Sequence, residues 1–434
     1  MNIAIIDTIG LVYDGTSLTK QGLGGSESAI ILISKELVKL GFSVTVFNNC
    51  EDDKVSPGIY DGVKFKPILS LQNETTSFDI VISSRTVTPL VPEKYYDWAR
   101  QQKDNKFYPE LFEKLRQQAK LKIIWLHDTF LVGDELLEEL VIEGHINEIF
   151  TLSDFHTSYI TNCQHGKRRM FEVLKSYIFQ TRNGIQKYKD WIDIKNKDHN
   201  LFVYNASFTK GMYPLITKIW EPIKQNIPNA KLMVIGGFYR SRKNAPPDKQ
   251  ESDWINLKKE YKNKNLDIIF TGVITQQEIS NILEKASFFI YPCAFPETFG
   301  ISTLEALAHN VTPITCRFGA IEETAINIAS YKLNYPIEPN NLFPHINTEE
   351  QCIKFINLTL QAYNDTYLHQ QKMYACNQIK DICTWDTIAL EWKEHFYRKF
   401  NLNLPIEEYQ KVKLIRQRVK KIFNRRFCNE EDFV

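Results

Sequence analysis

Two glutamates, Glu297 and Glu305, stand on either side of the predicted start of a helix. An apolar strand is predicted at Phe288–Tyr291, and the helical stretch Ile301–Ala308 carries Glu305 in its early turns. The first turn of a helix offers unpaired N–H groups and the positive end of the helix dipole, which suit a phosphate. A carboxylate accepts hydrogen bonds only, so it suits sugar hydroxyls. The segment therefore predicts a site for a ligand that joins sugars to phosphate.

The backbone donors for the phosphate would come from residues 299–302, where Gly300 lets a ligand approach closely because it has no side chain. The segment Pro296–Ala308, which reads PETFGISTLEALA, resembles the E-x7-E motif of retaining GT-B glycosyltransferases, in particular glycosyltransferase family 4. The resemblance implies that Glu297 acts at the reacting sugar, and that the donor is bound by Glu297, Thr298, Phe299, Gly300, Ile301 and Glu305. The alternative is a helix start with surface glutamates; the downstream stretch 319–323 favours the functional interpretation.

The first half of the chain extends the resemblance. Gly24 and Gly25 precede a predicted helix, as in the family's first glycine-rich loop, which implies that they lie near the donor phosphates and the acceptor. A dinucleotide fingerprint fits poorly, because Glu27 stands where its third glycine belongs. His127 ends a predicted strand, where the family has a histidine near the transferred sugar, so the resemblance implies a catalytic contact. The alternative for His127 is a hydrogen bond to neighbouring backbone.

The second half departs from the family at the donor phosphates, where an arginine and a lysine usually follow the first strand of the second lobe. Lys210 matches the lysine, and Ser207 is the nearest counterpart of the arginine. Arg240 or Arg242 could substitute as phosphate contacts, because both follow a predicted strand; two surface arginines are an equally good interpretation. Gly272 and Val273 are similar to the loop whose backbone contacts the nucleotide base.

Three further segments carry weaker predictions. Arg85 follows a strand and either faces the cleft, near donor or acceptor, or lies on the surface. The turn Thr181–Ile185 resembles the family's closing turn of the first lobe and is predicted to be structural. The stretch Tyr95–Phe107 is expected to contact the acceptor.

These residues need elements that hold them, and the chain alternates short apolar runs with amphipathic stretches. That alternation predicts parallel strands with crossover helices, and a polar stretch interrupts it once. We therefore expect an α/β protein of the GT-B type, with two Rossmann-like doubly wound lobes facing across a cleft. The predicted parts are an acceptor-side lobe at 1–186, a hinge at 187–200, a nucleotide-sugar-binding lobe at 201–384, and C-terminal helices with a basic tail at 385–434.

The tail places Val412, Ile415, Val419 and Ile422 on one helical stripe with mostly basic residues around it. One interpretation is a helix that lies on an anionic membrane surface. The other, which we prefer, is a helix packed on its own domain with a solvated basic face.

Composition excludes other classes of protein. A formal net charge of +1 gives no overall attraction to nucleic acid or membrane. Eight cysteines without a C-x-x-C pair predict reduced thiols in a cytoplasmic protein and no zinc site. The first residues are expected to form a strand, not a signal peptide. No D-x-D triplet follows a strand as in the metal-dependent fold, so no metal and no cofactor are expected.

The predicted reaction moves a hexose-type sugar from a UDP- or GDP-sugar to a hydroxyl of a glycan or glycoconjugate, with retention of configuration by resemblance. Two rivals stay open. A nucleotide-sugar epimerase has the same two lobes, and the spacing of Glu297 and Glu305 argues against it. A non-catalytic partner subunit is supported only by the missing arginine.

Overall fold

The computed structural model describes residues 1–52, 55–102, 109–162, 171–186, 194–237, 249–293, 295–334 and 348–423. Within these residues the strands form two sheets, one in each half of the chain. The strands of the first sheet are β1 Asn2–Ile6, β2 Ser43–Asn48, β3 Gly58–Tyr60, β4 Val63–Pro67, β5 Ile80–Ser84, β6 Leu121–Trp125, β7 Glu148–Thr151 and β8 Ile178–Gln180. Those of the second are β9 Asp198–Asn205, β10 Lys231–Ile235, β11 Ile268–Gly272, β12 Ala286–Tyr291, β13 Thr312–Cys316 and β14 Tyr331–Leu333.

Helices connect the strands and close the chain. The α-helices of the first half are α1 Ser17–Lys20, α2 Gly25–Lys39, α3 Tyr96–Gln101, α4 Glu113–Gln118, α5 Leu137–Ile142, α6 Asp154–Asn162 and α7 Phe171–Lys175. Those of the second half are α8 Met212–Pro214, α9 Trp220–Asn226, α10 Lys249–Lys262, α11 Gln276–Leu283, α12 Ile301–Ala308, α13 Ile321–Thr324, α14 Glu349–Asn364, α15 Thr366–Ala375, α16 Trp385–Lys399 and α17 Ile406–Phe423. A π-helical turn, Leu215–Ile219, joins α8 to α9. Short 3₁₀ turns lie at Ile68–Asn73, Thr88–Leu90, Glu93–Tyr95, Pro109–Phe112, Asp134–Leu136, Ile194–Asn196, Asn327–Ala329 and Cys376–Ile379.

Strand order decides where a site can form. The first sheet runs β3-β4-β2-β1-β5-β6-β7-β8 and is parallel except for the β3–β4 pair. The second runs β11-β10-β9-β12-β13-β14 and is parallel throughout. The order reverses at β1/β5 and at β9/β12, so a crevice opens beyond the carboxyl ends of those strands in each lobe.

Most predicted elements are present, with informative differences. The sequence pattern predicts a helix over Gln276–Ala286, but α11 ends at Leu283, because Ala286 already pairs with β9 as the first residue of β12. The predicted hinge overlaps the start of β9 at Asp198, and residues 187–193 lie outside the described ranges. The sequence patterns did not indicate β3, β4, β8 or β14, which are short edge or near-edge strands without an extended apolar run.

The end of the described chain returns to the first lobe. Side chains of α16, among them Trp385, Trp392 and Phe396, pack into the core between α2 and the first sheet. The next helix, α17, buries Val412, Ile415, Val419 and Phe423 in a cluster that includes residues of both lobes. The apolar stripe of the tail is therefore covered by protein, which supports the packed interpretation of this helix. No helix among the described residues is long and apolar enough to cross a membrane.

Candidate functional site

A cleft of about 450 Å³ lies between the two lobes, at the carboxyl edges of both sheets. It brings together most of the predicted site residues from both halves: Gly24, Gly25, His127, Ser207, Lys210, Glu297, Thr298, Phe299, Gly300, Ile301 and Glu305. Gly272 and Val273 do not line it; Val273 packs against Gly22 instead, and Ile274 and Gln276 reach the cleft. Arg240 and Arg242 lie outside the described residues. The cleft thus brings together predicted site residues that lie more than half the chain length apart in the sequence.

Glu297 and Lys210 form an ion pair on the wall of the cleft that the second lobe provides. Lys210 Nζ lies 2.7 Å from Glu297 Oε1, and the Tyr291 hydroxyl donates to the same oxygen at 2.5 Å. Burial alone lowers the pKa of Lys210, but the Glu297 carboxylate outweighs it, so the pKa lies above its usual value. The lysine is therefore charged at neutral pH and available to an anionic ligand.

Glycine determines the backbone position of Glu297. Gly319 has φ +58°, and a Cβ there would lie 2.9 Å from the Glu297 backbone nitrogen. The N–H of Ala320 donates to the Glu297 carbonyl at 2.8 Å. Only a residue without a side chain permits this approach, so the loop after β13 holds Glu297 in place.

Gly300 begins α12 in a left-handed conformation, with φ +81° and ψ +59°. A Cβ at this position would lie 2.4 Å from Ile321 Cδ1. The N–H groups of Ile301 and Ser302 have no described backbone partner and lie at the N-terminus of the helix, where the cleft lies, whereas the Thr303 N–H donates to the Gly300 carbonyl at 3.1 Å. This end of α12 can therefore receive an anion.

Glu305 lies one to two turns further along α12 and still borders the cleft, although only 7% of it is exposed. Its carboxylate forms no ion pair or hydrogen bond in the part of the chain that the structure describes. Burial raises the pKa of Glu305 to about 7. A buried carboxylate without a partner is costly, and ligand hydroxyls would relieve that cost.

His127 projects from the end of β6 on the opposite wall and is 7% exposed. Its ring lies 4.2 Å from that of Trp125, and Nε2 is buried without a hydrogen-bond partner among the described residues. Burial, followed by the charge of Arg85, holds the pKa of His127 well below its usual value. The ring is therefore neutral, with one nitrogen available to a ligand.

Arg85 does line the cleft, held by two acids that the sequence patterns did not assign. Its guanidinium lies 2.9 Å from Asp7 and 3.1 Å from Glu27. Asp7 follows β1 and Arg85 follows β5, which are neighbouring strands. The ion pair between Asp7 and Arg85 could have been predicted from their opposite charges after two parallel strands. That prediction requires knowing that the two strands are neighbours, which the sequence does not show. Glu27, in the glycine-rich segment, also accepts from the N–H of Leu11 at 3.2 Å.

Direct hydrogen bonds join the lobes beside the site. The Thr298 hydroxyl donates to the His127 carbonyl at 2.5 Å, and the Ser153 hydroxyl donates to the Thr298 carbonyl at 2.8 Å. Glu323 of the second lobe accepts from the N–H groups of Asp154 and Phe155, at 2.9 and 2.8 Å, at the start of α6. The segment Pro296–Thr298 therefore contributes residues to the cleft and also to the interface between the lobes.

The turn Thr181–Ile185 anchors the C-terminal helix. Arg182 Nη1 lies 2.5 Å from Glu391 of α16, and Trp392 Nε1 donates to Thr181 Oγ1 at 2.7 Å. Gly184 packs under the Trp385 ring, where a Cβ would lie 2.8 Å away. The turn is thus structural, and its residues 183–185 also border the cleft. Within the described residues, no group of three His, Cys, Asp or Glu side chains is arranged to hold a metal ion.

Comparison with known proteins adds independent findings. A family model described as "Glycosyl transferases group 1" matches residues 186–333. The chain is 23% identical over 202 residues to the lipopolysaccharide 1,2-N-acetylglucosaminetransferase of Salmonella typhimurium, a match that covers 46% of this chain. The match spans only about half, 48%, of the length of that relative.

Among solved structures, sucrose-phosphate synthase from Thermosynechococcus elongatus superimposes with a TM-score of 0.65 at 14% identity, covering 92% of this chain and 99% of that one. Anabaena Alr3699/HepE in complex with UDP and glucose gives a TM-score of 0.58 at 14% identity, covering 92% of this chain and 100% of that one. These likenesses show the fold, and the predicted GT-B architecture is confirmed. The family model over residues 186–333 and the curated relative support a glycosyltransferase.

Proposed function

We propose that the protein is a retaining glycosyltransferase that moves a hexose-type sugar from a nucleoside diphosphate sugar to a hydroxyl of a glycan or glycoconjugate. One observation carries the proposal. The Lys210–Glu297 pair, the N-terminus of α12 and the unpaired carboxylate of Glu305 border one inter-lobe cleft. A cation and a helix dipole suit a diphosphate, and carboxylates suit sugar hydroxyls.

The main chemical demand is to stabilise the negative charge that develops on the leaving diphosphate. The first-turn N–H groups of α12 and the charged Lys210 supply this stabilisation. Glu305 would accept hydrogen bonds from the ribose hydroxyls, while Glu297 and His127 contact the transferred hexose. Ser207 borders the cleft where the family has an arginine, so Lys210 is the cation that the described cleft residues of the second lobe offer to the diphosphate.

The proposed reaction uses no metal. The N–H groups at the start of α12 and the Lys210 ammonium stabilise the negative charge of the leaving diphosphate, which a divalent cation stabilises in metal-dependent glycosyltransferases. Contacts between Thr298 and the first lobe place the two halves of the site against each other and help exclude water. The relatives' names are consistent with this proposal: one is a transferase of N-acetylglucosamine, and another was solved with UDP and glucose. A UDP-sugar is therefore the first donor to test.

The test is a panel of UDP-, GDP- and dTDP-sugars, scored for thermal shift, nucleoside diphosphate release and transfer to glycan acceptors. We expect one donor to raise Tm and to be turned over, with retained anomeric configuration by NMR. Glu297→Gln should lower transfer by about 10²–10³-fold. Glu260→Gln, on exposed α10 and outside the cleft, is the matched control and should leave transfer unchanged.

Three results would contradict the proposal. Release of free epimerised donor sugar without an acceptor would favour the epimerase. Absence of any thermal shift or turnover across the panel would favour a non-catalytic subunit. Inversion at the anomeric carbon would reject the retaining mechanism while leaving the donor site in place.

A further inference from the structure

Asp128 is an ionisable residue of the cleft that the proposed donor site does not use. It follows His127 at the end of β6 and exposes its side chain to the cleft. Its carboxylate forms no ion pair or hydrogen bond within the described residues, whereas Glu297 and Glu27 on the same cleft are both engaged. Asp128 is therefore free to bind a ligand from the first lobe, opposite the donor site.

The backbone of the His127–Asp128 pair is held from two sides. Thr298 of the second lobe donates to the His127 carbonyl at 2.5 Å, and His156 Nε2 lies 3.2 Å from the Asp128 carbonyl. His156 Nδ1 accepts from the N–H of Leu152 at 3.3 Å, and burial lowers the pKa of His156 to about 3. The ring is thus neutral with its proton on Nε2, so this nitrogen donates to Asp128. The backbone carbonyls of His127 and Asp128 both accept hydrogen bonds from the protein, so the position of the backbone is held. The side chains of the two residues border the cleft, where a ligand can contact them.

A second observation points to a ligand at this place. His127 is more than nine-tenths buried, yet its Nε2 has no partner among the described residues while the residue borders the cleft. Buried polar atoms in native proteins almost always find a hydrogen-bond partner. A neutral imidazole nitrogen beside a carboxylate provides complementary contacts for sugar hydroxyls, which both donate and accept.

The surrounding charges limit what that ligand can be. The charged residues bordering the cleft are the acids Glu27, Asp128, Glu297 and Glu305 and the bases Arg85 and Lys210. Both bases are already paired, Arg85 with two acids and Lys210 with one. Arg85 and Lys210 also act on Asp128 through space, but neither forms an ion pair with it. Four acids against two bases leave an excess of negative charge along the cleft, which opposes a further anionic group beside Asp128, at a place where the protein screens less than water does.

We propose that Asp128, next to His127 and the transferred hexose that His127 contacts, forms the acceptor subsite and selects an uncharged sugar residue whose hydroxyls donate to the Asp128 carboxylate. Acceptors that carry a carboxylate or a phosphate next to the reacting hydroxyl are disfavoured. The inference rests on the proposed function and names the acceptor class for that site. Asp128 acts here as a specificity-determining residue, and no proton transfer is assigned to it.

The experiment uses the full chain with the donor that the panel identifies. Acceptors are methyl glycosides of glucose, galactose and N-acetylglucosamine, each alone and extended to a disaccharide, matched with glucuronate, galacturonate and the 6-phosphates. We expect at least one neutral acceptor to exceed its anionic match at least tenfold in kcat/KM. Asp128→Asn keeps the shape and removes the charge, so the ratio should fall to within about threefold, mainly through acceptor KM.

Asp61→Asn is the matched control, because Asp61 is an exposed carboxylate between β3 and β4, away from the cleft. It should leave the ratio of neutral to anionic acceptors unchanged. A thermal shift of Asp128→Asn on addition of UDP shows that the variant is folded. If Asp128 had only a structural role, its substitution would not change the ratio of kcat/KM between neutral and anionic acceptors.

Three outcomes overturn the inference. The first is a wild-type preference for anionic acceptors. The second is an Asp128→Asn variant with an unchanged ratio. The third is donor hydrolysis without transfer to any neutral acceptor, which leaves the donor site standing. A protein that neither binds nor turns over any nucleotide sugar overturns the proposed function and the acceptor subsite together.

Discussion

Glu305 shows at the residue scale how a proposed binding residue can oppose stability. Its carboxylate is buried on α12 without a described partner, and burial raises its pKa to about 7. The ionised Glu305 carboxylate would thus be more stable in water than in the free protein. Hydrogen bonds from a ligand with vicinal hydroxyls would offset this desolvation cost. Perturbed buried carboxylates of this kind are typical of functional sites.

We predict that Glu305→Gln stabilises the free protein at alkaline pH and removes donor binding. The folded protein holds the proton of Glu305 more tightly than the unfolded chain, in which a glutamate has its ordinary pKa of 4.5. Between that value and about 7, the wild-type free energy of unfolding therefore falls as pH rises. The variant lacks this loss, so its Tm should exceed the wild-type value by roughly a degree or two at pH 8.

Thermal melts at pH 4 and pH 8, with and without UDP or the identified UDP-sugar, measure both effects. At pH 4 the two proteins should melt together, because Glu305 is protonated in both states. A variant that is destabilised at pH 8 would show that the carboxylate has a partner in the free protein, and a variant that keeps the full ligand-induced shift would show that Glu305 does not bind the donor.

At the scale of elements, α6 begins in one lobe and receives a cap from the other. Glu323 accepts from the N–H groups of Asp154 and Phe155, which α6 leaves unpaired at its start. The contact also places a carboxylate at the positive end of the helix dipole. It therefore joins the lobes next to the site without any ligand.

We predict that Glu323→Ala lowers the free energy of unfolding by about 1–3 kcal/mol, because two charge-assisted hydrogen bonds are lost. The radius of gyration of the ligand-free protein, measured by small-angle scattering, should increase as the lobes separate. Glu350→Ala is the matched control, since Glu350 lies in the first turn of α14 and pairs with Lys354 on the same helix. It should have a much smaller effect on stability, because Glu350 and Lys354 are exposed to solvent, and it should leave the radius unchanged. Equal effects of the two substitutions would rule out a lobe-joining role.

At the scale of the whole molecule, α16 ties the end of the described chain to the first lobe. Arg182 and Glu391 form a buried ion pair, with 3% and 6% of their side chains exposed. Arg182 also donates to the Ile382 carbonyl at 2.9 Å. Because α16 follows the second lobe in the chain and packs into the core of the first, the two lobes are linked twice.

We predict that Glu391→Leu alone costs about 3–5 kcal/mol of unfolding free energy, because it leaves the Arg182 charge buried without its carboxylate. The double substitution Arg182→Met, Glu391→Leu should recover part of that loss, since no unpaired charge remains. Urea unfolding of the two single variants and the double variant gives the coupling energy. Additive losses would indicate that the two side chains do not interact in solution.

Much of the site could be predicted from local patterns. Glu297, Gly300 and Glu305 lie on one strand–loop–helix unit, so their spacing alone determines that they border the same helix start. His127 and Lys210 were predicted by resemblance to the family, and the cleft contains both. Hydrophobic periodicity indicated most strands and helices, because it reflects burial of one face by nearby residues.

Pairings across the molecule were decided only by the tertiary structure. Arg85 meets Asp7 across 78 positions because β1 and β5 are neighbours, and strand order leaves no trace in local spacing. The bridge from Thr298 to His127 and the return of α16 depend on how two sheets pack together. The sequence alone determined the two lobes and the strand–loop–helix unit that carries Glu297 and Glu305. The tertiary structure decided which charges are neutralised within each lobe, Arg85 by Asp7 and Glu27 and Lys210 by Glu297, and it left Asp128 without an ion pair, since that depends on three-dimensional proximity.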